Sequence, residues 1–141
     1  MTRSDMNGLY DITASNKKRS EMEKRKRIID GSGADLVVSI HMNSFPLPSA
    51  RGAQVYYAQG STSGEALATS VQTSLRGSID YAKSTSKMGD FYILNCTEKP
   101  AILVECGFLS NPEEEHLLVS ADYRENLCYC IFAGILKYFD M

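Results

Sequence analysis

Two short apolar runs, Leu36-Val-Val-Ser-Ile40 and Ala101-Ile-Leu-Val104, constrain the fold more than any other feature of the sequence. Both are too short for a useful helix, are rich in branched residues and lack a polar–apolar alternation. That pattern suits strands covered on both faces. Gly31-Ser-Gly33 interrupts the chain before the first run and Pro100 precedes the second. Strands of this kind need helices packed on either side of their sheet, and the intervening segments are able to supply them.

Residues 1–16 carry Ser, Asp, Asn and Gly without an apolar period and read as a loop. Residues 17–30 alternate basic and acidic side chains, with few apolar ones before Ile28 and Ile29, which predicts a charged, largely solvated helix. A nucleic-acid patch is the functional alternative for this run, but Glu21 and Glu23 interrupt it. After a Pro-containing loop, residues 53–58 read as a second strand. Residues 64–75 then form a helix on Leu67, Val71 and Leu75 at four-residue spacing. Residues 77–90 are polar and predict a surface loop or lid, and residues 91–94 a short strand. Asn111 can cap a helix that Pro112 opens, with Glu113, Glu114 and Glu115 complementing its dipole. A last helix over 123–138 has Leu127, Ile131, Ile135 and Tyr138 as its core stripe. The expected architecture is a single α/β domain over residues 1–141, a three-layer arrangement around a twisted, mostly parallel sheet.

Bulk properties exclude several classes. A length of 141 residues fits one domain, and a net charge of −2 argues against nucleic-acid binding. No run is long and apolar enough for a membrane helix, and the opening MTRSDMNGLY does not resemble an export signal, which would leave a chain made from Met1 in the cytoplasm. Cys96, Cys106, Cys128 and Cys130 lack the spacing of a zinc ribbon and read as small buried hydrophobes, not as ligands or disulfides.

Chemistry is suggested where the two apolar runs end. His41 directly follows one and Glu105 directly follows the other. Ligands bind outside the carboxyl ends of strands in open α/β sheets, so parallel neighbours would bring these two residues to one rim. A carboxylate at the end of a buried strand is costly without a partner such as a metal or a cation. On spacing alone His41 could equally be a hydrogen-bonded structural residue, and Glu105 a helix cap or the partner of a lysine. His116, the second histidine, reads as a surface residue of a short helix.

The wording around these residues resembles one family. Ala34-Asp-Leu-Val-Val-Ser-Ile-His-Met-Asn43, Gly52-Ala-Gln-Val-Tyr-Tyr57 and Pro100-Ala-Ile-Leu-Val-Glu-Cys-Gly-Phe-Leu-Ser-Asn111 are similar, in order, to motifs of the zinc-dependent N-acetylmuramoyl-L-alanine amidases that cleave peptidoglycan. Arg25 and the closing helix fit the same pattern, and the LVECGFLSNPEE wording is closest to germination- and sporulation-type members. The resemblance implies hydrolysis of the amide between N-acetylmuramic acid and L-alanine in the cell wall, outside the cytoplasm. It implies Zn²⁺ as cofactor, with His41 at the position of a metal ligand, Glu105 at that of the catalytic glutamate and Asn43 beside the substrate.

One part of the pattern is not found. The family opens with a strand ending in a DPGHGG-like turn that supplies a second His, then a helix entrance that supplies a Glu. Thr2-Arg3-Ser4-Asp5 resembles the family's segment just after that unit. The expectation is a catalytic domain truncated by a β-α-β opening of on the order of 40–50 residues, with two zinc ligands lost and little activity alone. A non-catalytic peptidoglycan-binding or regulatory remnant is the alternative. A plain α/β interaction domain without a wall ligand is disfavoured by the two long motif blocks.

Overall fold

The computed structural model describes residues 1–2 and 7–140; the resemblance at Arg3-Ser4-Asp5 lies outside the described residues. Helix α1, Lys17–Gly31, starts where Asn16 Oδ1 accepts the Arg19 N–H at 2.9 Å. Its polar surface is laced by Arg19–Glu23, Arg25–Glu21 and Lys26–Asp30 pairs at four-residue spacing, and Ile29 is its buried residue. Each such pair contributes only a few tenths of a kcal/mol or so. The helix is therefore as solvated as its composition predicts.

Strand β1 covers Val37–Asn43, β2 Gln54–Tyr57, β3 Lys87–Met88 and β4 Ala101–Phe108. The sheet order is β1-β4-β2-β3, with β1 parallel to β4, β2 antiparallel to β4 and β3 parallel to β2. The sheet is thus mixed, with two of its three pairings parallel. Central β4 is buried from Ala101 to Gly107, as its apolar run requires. Strand β1 is different from expectation: Ile40 and Met42 are about half exposed. Its sequence reads as a doubly covered strand, but among the described residues it lies at the sheet edge, with β4 as its one neighbour.

Helices α2 (Thr62–Arg76), α4 (Pro112–Val119) and α5 (Ala121–Phe139) cover one face. There Leu67, Val71 and Leu75 pack with Val55, Ile102, Val104, Leu118, Leu127 and Ile131. Full burial of each of these large aliphatic side chains stabilises by roughly 1.5–3 kcal/mol. Ile135 and Tyr138 complete the α5 stripe at partial burial. The other face is covered by α1 and the short α3, Tyr92–Asn95, whose Ile93 and Leu94 meet Ile29, Ala101 and Leu103. The result is three layers.

Helix α3 replaces the short strand expected over residues 91–94. An apolar run of four residues fits either state. Here Leu94 and Asn95 donate to the Phe91 carbonyl, and Asn95 Nδ2 donates to Asp90 Oδ1 at 2.9 Å, closing a turn that no strand partner opposes. Residues 77–90 form the predicted loop apart from β3 and the buried Ile79. Two buried glutamines hold this loop along the free edge of β2. Gln54 donates to the Thr85 carbonyl at 2.8 Å, Gln72 donates to the Lys83 carbonyl at 2.9 Å, and Gln72 Oε1 accepts the Val55 N–H at 2.7 Å. Side-chain amides thereby satisfy backbone groups that a longer β3 would otherwise pair.

Among the cysteines, Cys106 and Cys130 are buried and Cys96 is half-buried, but Cys128 is exposed on α5, against the expectation for all four. Cys128 and Cys130 are two apart on a helix, so they cannot both face the core. All four are free thiols.

Candidate functional site

The register of β1 against β4 pairs His41 with Glu105. Because the strands are parallel, both residues lie toward their carboxyl ends, with β1 continuing to Asn43 and β4 to Phe108, and on the same face of the sheet. The shared rim expected from the two apolar runs is therefore present. Ser39 and Leu103 are on this face one step earlier, and His41 Nε2 is 3.1 Å from Ser39 Oγ. Beside them a cleft of about 470 Å³ opens between α1, β1 and α3, lined by Arg25, Ser39, His41, Phe91, Tyr92 and Leu103 among others.

Electrostatics distinguish the two central residues. Glu105 is only 8 % exposed, and its Oε2 is buried without a hydrogen-bond partner among the described residues. Burial raises its carboxyl above the ordinary carboxylate value of 4.5. That is the environment of a proton acceptor held closer to neutrality than a surface carboxylate. Tyr56 of β2, paired with Leu103, lies close enough that its phenol is raised by burial and then by the Glu105 charge. His41 sits at the exposed end of β1, and its pKa is lowered by partial burial and then by the Arg25 guanidinium. A lowered imidazole is neutral at neutral pH and has a lone pair to offer. Arg25 is itself held by Glu21 at 2.6 Å, while its Nε is buried with no partner among the described residues.

The other sequence candidates lie further from this pair. Asn43 is half-buried at the end of β1; its Oδ1 accepts the Ser44 N–H at 2.8 Å, and its carbonyl accepts the Leu109 N–H. It thus shapes the turn leaving the rim. His116 is exposed on α4, as expected of a surface residue. Cys106, next to Glu105, points into the core on the opposite face with Val104 and Leu127, and burial pushes its thiol up to about 11. A thiol so raised is a poor metal ligand.

A catalytic zinc of the hydrolase type takes three protein ligands. Among the described residues no group of three His, Cys, Asp or Glu side chains converges on one point. His41 fits the chemistry of one ligand, but the described residues do not compose the full set. Two residues that composition and spacing did not mark as functional also belong to this rim. Gln54 pairs with Glu105 across β2 and β4, and Glu114, read from sequence as a dipole complement, is buried and accepts backbone N–H groups from two segments. Only the unusual burial of a polar side chain marks them, and burial is not visible in sequence.

Comparison with known proteins agrees with this fold. The sequence profile of the N-acetylmuramoyl-L-alanine amidase family matches residues 2–137. The chain is 33 % identical over 126 residues to the germination-specific N-acetylmuramoyl-L-alanine amidase of Bacillus subtilis (strain 168), covering 89 % of this chain and 53 % of that one. It thus spans about half the length of that relative. The structure of the CwlD amidase from Clostridioides difficile, solved in complex with the GerS lipoprotein, superposes with a TM-score of 0.92 at 33 % identity, over 99 % of this chain and 74 % of that chain. An N-acetylmuramoyl-L-alanine amidase from Clostridium difficile 630 superposes with a TM-score of 0.80 at 32 % identity, over 84 % and 65 % of the two chains. With a family match running through nearly every described element, this chain belongs to the N-acetylmuramoyl-L-alanine amidase family.

Proposed function

We propose that this domain is the larger part of a cell-wall hydrolase that cleaves the amide between N-acetylmuramic acid and the L-alanine of the peptidoglycan stem. The observation that carries this reading is the register pair His41–Glu105 near the carboxyl rim, with a Glu105 oxygen that is buried and has no hydrogen-bond partner among the described residues. Glu105 acts as the acid–base group: its carboxylate takes a proton from the attacking water and returns it to the departing amide nitrogen. The cleft beside Arg25 and His41 takes the muropeptide, and Asn43, at the end of β1 outside that lining, contacts it from the rim. The reaction is exposed to wall polymer, so the working location is the cell wall.

Zinc enters this proposal through His41, whose neutral imidazole is suited to hold it. Three ligands are needed and the described residues do not compose them; the resemblance to the family assigns the other two to an opening β-α-β unit. The chain as given then has little turnover alone. The test compares this chain with an N-terminally extended form, each supplied with Zn²⁺, by release of stem peptide from peptidoglycan. The extended form is expected to turn over and to lose activity on Glu105→Ala, while the short chain does not turn over. Equal turnover by the two would refute the ligand count. Peptidoglycan binding by the extended form without peptide release would instead establish the non-catalytic reading.

A further inference from the structure

Directly after Glu105 the β1–β4 ladder breaks step. His41 pairs with Glu105, but Asn43 pairs with Phe108, so two steps on β1 are matched by three on β4. The additional residue lies at Cys106–Gly107, where Gly107 takes φ 156°. Such a bulge bends its strand and re-aims the neighbouring side chains, and it leaves a backbone group to be satisfied away from the regular ladder. Here the Phe108 N–H goes to Glu114 Oε2 at 2.8 Å. The other carboxylate oxygen, Oε1, accepts the Gly52 N–H at 2.8 Å, from the segment entering β2.

Glu114 is 3 % exposed, so this is an internal bridge and not a surface contact. Its own N–H is accepted by Asn111 Oδ1 at 3.1 Å, and Asn111 Nδ2 donates to the Pro48 carbonyl at 2.9 Å. A Cβ built on Gly107 would stand at contact distance, 3.4 Å, from Glu114 Cδ and Oε2, so the carboxylate lies against the bulge, where the φ of 156° favours glycine. One acidic side chain thus joins the end of β4, the entrance of β2 and the first turn of α4.

We propose that Glu114 is the positioning residue of this site: by holding the bulge at Gly107 it sets the direction and burial of the Glu105 carboxylate opposite His41. The inference rests on the amidase reading for its kinetic consequence, but not for its geometric one. Displacements near 1 Å are enough to lower turnover by roughly 100-fold.

Glu114→Gln is nearly isosteric and replaces one acceptor by an NH2 that cannot accept a backbone N–H. Gly107→Ala disturbs the same bulge from the opposite side and serves if the first variant does not fold. Glu113→Gln, one residue earlier and exposed, is the control. In the extended, active amidase, Glu114→Gln should lower kcat by roughly 10–100-fold with KM within about twofold and folding intact at the assay temperature. The control should leave both constants unchanged. A folded Glu114→Gln enzyme with unchanged kcat, or an equal loss in Glu113→Gln, would overturn the proposal.

A crystal structure of the Glu114→Gln chain separates this outcome from failure of the amidase reading. If the wild type proves inactive, a Glu105 carboxylate displaced by more than about 0.5 Å, the tolerance of a working site, still supports the positioning role. A Glu105 carboxylate left in place within that distance overturns it.

Discussion

The buried carboxylate of Glu105 makes a stability prediction that does not require an assay of catalysis. Its Oε2 has no hydrogen-bond partner among the described residues and Glu105 is 8 % exposed, so the ionised form gives up solvation without replacement. An unsatisfied buried acceptor of this kind costs roughly 1–3 kcal/mol. Glu105→Gln keeps the shape and removes the charge, and should therefore stabilise the fold at pH 7, by less than that cost because the carboxamide still lacks a partner there. For a chain of this size each kcal/mol gained raises Tm by roughly 2–5 °C.

The pH dependence is a matter of linkage. The folded-state pKa of Glu105 is raised above 4.5 by burial. Below the unfolded value the acid is neutral in both states and the substitution gains nothing. As pH rises through the raised folded pKa, the wild type loses stability that the variant retains. Thermal melts of both proteins from pH 4 to pH 8 measure this directly. A gain that is equal at pH 4 and pH 7, or a loss at pH 7, would refute the claim that Glu105 is held ionised at a cost. In the extended enzyme the same substitution should lower kcat by at least roughly 100-fold, the pattern of a residue kept for chemistry at the expense of stability.

Two further outcomes are expected. The pKa of His41 lies below 6.5 through burial and then the charge of Arg25, so its neutral form adds stability above about pH 6.5, lost as pH falls through the lowered folded value. Arg25→Gln should raise the His41 titration midpoint seen by NMR, and an unmoved midpoint would remove Arg25 as a cause. Gly134→Ala should destabilise by about 1–3 kcal/mol in urea unfolding, because the added Cβ would lie 2.5 Å from Val71 Cα where α2 and α5 cross; an unchanged midpoint would mean that the helices separate freely.

Much of this molecule is written in local pattern. The Leu67, Val71 and Leu75 spacing, the Asn111-Pro112 helix start and the apolar run of β4 each specify an element through the chemistry of near neighbours. They are found as predicted. The ends of the two apolar runs at His41 and Glu105 are legible for the same reason, since the end of an apolar run is a local event, although β1 continues to Asn43 and β4 to Phe108. Other features depend on contacts between distant segments. The apolar sequence of β1 does not say that Ile40 and Met42 lie at an exposed edge, because exposure is set by which strands flank it. Residues 91–94 carry too few residues to choose between strand and helix, and the Asp90–Asn95 contact closes the turn of α3. The same holds for Glu114. In sequence it is one of three successive acids at a helix start, and its two surface neighbours are its equals. Only folding brings Gly52 and Phe108 to its oxygens, from 62 residues before and 6 residues before it in the chain, and turns a dipole complement into a buried bridge beside Glu105.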